Sequence, residues 1–218
     1  MNLECYKTDP NSWWFSNDFT DHELTLLRVS FATFNRCRLE QLGMEAFMKL
    51  FDDYPEAFAI FVGKQVLPES RDEIQYSWET RHHAVRVLSI LERTLFRLNR
   101  PADFSILISG LVSRHLAYGA TTRFVIGLLG CFKSALTDEV GKLTEDYLTE
   151  IETTSSELES LWCKFFKSLG MAMVGEMTAV ELFLQNQRQK TALIKTYHFG
   201  IHKGKSRKFF SIFFKRKQ

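Results

Sequence analysis

Apolar residues in this 218-residue chain recur at steps of three and four, and nowhere over any length at a step of two. That period limits the fold to packed helices, because a half-buried strand changes sides at every residue. From Asp21 onward, Leu24, Leu27, Phe31 and Phe34 keep one helical face apolar, and Asp21 is the expected N-cap. The same pattern predicts helices over 39–53, from Pro55 to about Ile60, and over 76–98, 103–117, 121–136 and 157–184. Pro55 suits a first helical turn. Pro101 breaks the helix before it, and Gly119 is a C-cap candidate. Residues 62–75, with Gly63 and Pro68, read as a loop. Residues 137–156, acidic and rich in Thr and Ser, read as a connection with some helical character. The expected class is all-α with short connections.

Such helices need a core, and 45% hydrophobic residues with 20 phenylalanines supply one, which excludes a disordered chain. No apolar run approaches the roughly 20 residues that span a bilayer. Met1-Asn2-Leu3-Glu4-Cys5 has neither a basic nor an apolar stretch, so no secretory signal is expected. Cys5, Cys37, Cys131 and Cys163 form no Cys-x-x-Cys pair, which argues for reduced thiols and a cytoplasmic protein. Ten of the 28 basic residues and none of the 26 acidic ones lie between Asn186 and Gln218. The rest of the chain therefore carries a net charge of −8. An acidic body and a basic tail are to be read separately.

Two histidines stand out among six. His83 shares a helical face with Val87 and Ile90, and His115 shares one with Leu107 and Leu111. Each helix can thus present one imidazole among aliphatic groups, although such a residue is more often an ordinary hydrogen-bonded histidine. Other chemistry finds no support. There is no Gly-x-Gly-x-x-Gly and no histidine–glutamate zinc motif. No Ser or Cys nucleophile can be paired with a base. Gly204-Lys205-Ser206 lacks the preceding strand and the glycine spacing of a phosphate loop.

Three stretches together carry a resemblance. Leu50-Phe51-Asp52-Asp53-Tyr54-Pro55-Glu56-Ala57-Phe58-Ala59-Ile60-Phe61, then His83-Ala84-Val85-Arg86-Val87-Leu88, then Leu111-Val112-Ser113-Arg114-His115-Leu116-Ala117-Tyr118-Gly119 follow one another in the order and spacing of the globins. The chain resembles neuroglobins and divergent nematode globins most, over about residues 21–180. The resemblance implies a globin fold, a three-on-three helical sandwich around haem b, with terminal extensions at 1–20 and 185–218 flanking a domain at 21–184. It implies His115 as the iron ligand and His83 on the opposite side. Phe61 would stack on the haem, Phe47 roof the distal pocket, Val87 crowd it, and Leu111 line the proximal wall. His83 is preferred to His82 because the residue four positions on is Val87 rather than the charged Arg86. His82 is left at the surface or near a haem propionate.

The function so implied is reversible dioxygen binding, for storage, transport or sensing. The alternative is a six-coordinate, bis-histidyl haem in a redox role, passing electrons or reacting with nitrite or nitric oxide. The tail from Ser206 to Lys217 places phenylalanine pairs between basic clusters, which suits an anionic membrane surface better than nucleic acid.

Overall fold

The structure is a computed structural model that describes residues 19–62, 73–74 and 77–202; side chains of Val62 and of residues beyond Thr191 are not included. Among the described residues there is no strand. The helices are α1 (Asp21–Thr33), α2 (Arg36–Asp53), α3 (Pro55–Val62), α4 (Trp78–Arg97), α5 (Pro101–Ala117), α6 (Thr122–Val140), α7 (Glu145–Glu150) and α8 (Ser155–His202). The membrane expectation for Ser206–Lys217, the phosphate-loop comparison at Gly204–Ser206, and the extension up to residue 18 lie outside the described residues. No helix among the described residues is long and apolar enough to cross a membrane.

At α1, α2 and α4 the helix starts where a polar side chain caps it, and not where the apolar pattern begins. Thr20, not Asp21, caps α1. Its hydroxyl accepts from Glu23 N–H, while the Glu23 carboxylate accepts from Thr20 N–H at 2.7 Å. This reciprocal pair satisfies two amides that the first turn would leave open. Asn35 caps α2 through Cys37 N–H, four residues before the apolar pattern begins. Ser77 caps α4 through Thr80 N–H. Pro101 does not stand before α5 as a break but opens it, at the one turn where its missing N–H costs nothing. Gly119 takes φ +85° just past α5, as a C-cap glycine does.

The larger departure is at the other end. The last helix does not stop near 184 but runs to His202. Residues 178–199 contain no proline or glycine and are rich in Gln, Leu, Lys and Ala, all good helix formers. The chain divides into two compact units, Met1–Met177 and Thr178–Gln218. In the second, Leu182, Phe183 and Leu184 are exposed.

The core of the first unit lies around α2, which packs on α4, α6 and α3, while α4 also packs on α1 and α5. Gly43 lets α2 approach α4 closely, since a Cβ there would lie 2.9 Å from the Ala84 methyl. Trp162, Phe165 and Phe166 of α8 are fully enclosed. The Trp162 indole N–H donates to Ser30 Oγ at 3.2 Å, so the largest buried side chain leaves no unpaired donor. A buried aromatic chain then leads from this core to the two histidines. Phe132 of α6 meets Phe47 of α2 edge-on at 6.2 Å, and Phe47 in turn meets His83.

Candidate functional site

The C-terminal two-thirds of α5 sorts its side chains into two stripes. Phe104, Ile108 and Val112 are buried in the protein core, while Leu107, Leu111 and His115, one position round, are only half-buried. On α4 the same division recurs. Ala84, Leu88, Leu91 and Leu95 are buried, and His83, Val87 and Ile90 are half-buried. Each histidine therefore sits on an apolar stripe that the protein does not fully cover, and the two stripes face one another. The ring centroids of His83 and His115 are 6.5 Å apart, with planes at 85°.

Both imidazoles are held. His115 Nδ1 lies 2.8 Å from the Leu111 carbonyl one turn back. A carbonyl only accepts, so Nδ1 carries a proton, and in the neutral ring Nε2 is the nitrogen with the free lone pair. His83 is fixed by aromatic edges instead, Phe47 at 5.2 Å and Phe61 at 5.1 Å, both near perpendicular. Burial pushes the His83 imidazole down to about 4, with further lowering by the neighbouring His115, Arg86 and His82. It is neutral at physiological pH.

All six residues singled out from the sequence can be placed. His83, Phe47, Phe61 and His115 form one connected cluster. Val87 follows His83 by one turn, half-buried, and Leu111 supplies the carbonyl that holds His115. His82 stands apart, stacked on the exposed Trp78 at 4.6 Å with planes 10° from parallel. Sequence reasoning missed this stack, although an aromatic four residues before a histidine was there to be noticed. It also passed over Phe51 as a site residue. Phe51 contacts Phe47 at 6.0 Å, Phe58 at 5.1 Å and Phe61 at 5.3 Å, and so backs the wall that orients His83.

The family model for globins matches residues 44–173, more than half of the chain. The chain is a globin. The match runs from α2 into α8 and contains every member of the histidine cluster. This globin is also 33% identical over 120 residues to extracellular globin-E1 of Artemia sp.. That alignment takes in 53% of this chain and 57% of the Artemia protein, so the chain spans little more than half of that relative. The helical architecture is accordingly the globin fold, and haem binding is the general property of the family.

The residues present fit a haem. Among the described residues no group of three or more His, Cys, Asp or Glu could hold a bare metal ion. The facing pair offers two imidazoles, and a porphyrin would bring four further nitrogens with an apolar rim. Half-buried aliphatic stripes on both helices are the surface such a ring covers.

Proposed function

We propose that this globin binds dioxygen reversibly at a haem b held through His115 Nε2, in a storage, transport or sensing role. The observation that carries the reading is the pair of opposed imidazoles, one with its outer nitrogen already committed to a backbone carbonyl. The haem supplies the site for a diatomic ligand, and the protein does the rest. The Leu111 carbonyl fixes the His115 tautomer and ring angle, and makes Nε2 a better donor. His83, kept neutral by burial, has an N–H to offer a bound ligand. Phe47 and Phe61 hold that ring upright, exclude water, and add no competing hydrogen bond. Val87 limits the space beside the ligand.

A second reading has a specific support in the spacing. Two imidazoles sharing one metal, with bonds of about 2 Å each and the half-width of each ring, span roughly 6 Å between centroids. The 6.5 Å between His83 and His115 is close to that. With a haem bound, His83 would then be near enough to compete with dioxygen for the iron, an arrangement suited to redox chemistry.

The ferrous visible spectrum tests both. A single broad visible band that sharpens on exposure to dioxygen supports the open site. Split, sharp bands that merge into one in His83→Leu support the six-coordinate form. A His115→Ala protein is expected to lose the Soret band or keep only a weakly held haem. A wild-type protein with no Soret band after haem addition overturns the haem assignment, and rapid autoxidation in air moves the role from storage to redox.

A further inference from the structure

The acidic globin body carries one concentration of positive charge far along α4 from the histidines. A concavity of about 300 Å³ at the C-terminal end of α4 is lined by Glu92, Arg93, Phe96, Arg97 and Arg100. Three arginines therefore line one hollow together with a single glutamate. Arg100 reaches Asp103 only at 4.0 Å, and both side chains are largely exposed. No ion pair joins Arg93 or Arg97 to a carboxylate among the described residues. A fourth guanidinium stands beside the hollow. Arg28 donates from Nε and Nη2 to the Leu95 carbonyl, at 3.2 and 3.0 Å, and lies 5.4 Å from the centroid of the Phe96 ring. Arg28 is thus tied down by the backbone and brings charge without being free to swing away. Phe96 itself is 58% exposed, an unusual setting for a phenyl ring in a hollow lined by arginines.

Like charges crowded in a concavity repel one another, and the arrangement is relieved by a multivalent anion that several guanidiniums grip at once. We propose that this hollow is a binding site for a phosphate-bearing polyanion, gripped by Arg93, Arg97 and Arg100, with Phe96 as its apolar floor. The charge signature selects phosphate over carboxylate groups, because three forked donors match the several oxygens of a phosphate. Glu92 works against the anion from the rim. Two sources share this chemistry, a soluble polyphosphate and a phosphorylated lipid headgroup.

The full-length haem-loaded protein is titrated with inorganic tripolyphosphate by calorimetry, and separately with vesicles of phosphatidylcholine containing a phosphoinositide. The basic tail also attracts polyanions, so the readout is the difference between variants. Arg93→Gln with Arg97→Gln is expected to weaken binding at least tenfold, and Glu92→Gln to strengthen it several-fold. Arg36→Gln, which removes one charge from an exposed arginine at the start of α2 where the double variant removes two, is expected to leave binding as it was. Unchanged circular dichroism and Soret spectra in the variants show that the fold is intact. Tripolyphosphate binding with this pattern supports the site with a soluble ligand. The same pattern on vesicles alone supports it with a lipid headgroup. No binding in either arm, or an equal loss in Arg36→Gln, overturns it.

Discussion

His83 shows how far one side chain's chemistry depends on what surrounds it. Its helical position makes it available, but Phe47, Phe61 and the facing His115 bury it and lower its proton affinity to about 4, against an ordinary 6.5. The unfolded chain therefore takes up a proton between pH 6.5 and 4 that the folded chain refuses. Stability is full above pH 6.5, falls as pH drops through that window, and stops falling from this cause below about 4. Titration of the haem-free protein by NMR is expected to give a His83 midpoint near 4. A midpoint at 6.5 or above would show that the ring is solvated. Equilibrium unfolding at several pH values is expected to show a shallower loss between 6.5 and 4 in His83→Leu.

At the scale of elements, the site depends on how closely α2 and α4 cross, because Phe47 rides on one and His83 on the other. Gly43→Ala places a methyl 2.9 Å from the Ala84 methyl and 3.4 Å from its Cα. Backbone cannot yield as a flexible side chain would, so the helices must separate. The expected cost is about 1–3 kcal/mol in chemical unfolding, with a shifted haem spectrum as Phe47 moves off His83. Helix ends are a gentler matter. Thr20→Ala removes the hydroxyl half of the α1 capping box and is expected to cost about 1 kcal/mol without altering the spectrum. The apolar pattern made the helices legible, but it placed Asp21 at a cap that Thr20 holds. Asp21 and Thr20 are both good caps by residue type, and only the Glu23 carboxylate folding back onto Thr20 N–H decides between them.

Across the whole first unit, charge contacts tie together helices that are distant in sequence. Arg38 of α2 donates to Glu139 at the end of α6 at 2.7 Å, and Lys142 adds a second contact to the same carboxylate. The Arg38 and Lys142 hydrogen bonds hold the Glu139 carboxyl down to about 2, despite partial burial that opposes them. Its contribution is fully present above about pH 4.5 and is lost as pH falls from there toward 2. Glu139→Gln is expected to cost about 1 kcal/mol at pH 7 and to flatten the acid-unfolding curve within that window. An unchanged acid slope in the variant would mean that the contact adds nothing in solution.

The sequence by itself determined the helical class, because a three-to-four-residue apolar period has no other low-energy solution. The order of Pro55, Phe61, His83 and His115 carried the family resemblance. It could not determine which faces of α4 and α5 the protein leaves uncovered. Leu107 and Leu111 are no more polar than Phe104, Ile108 and Val112, and only packing against the other helices buries one stripe and spares the next. Nor could it bring His83 to 6.5 Å from His115, whereas the stack of His82 on Trp78 was within reach of the sequence as a four-residue step along one helix. That distance depends on how α4 meets α5, and a contact between helices is a property of the folded assembly, written in no single stretch of the chain.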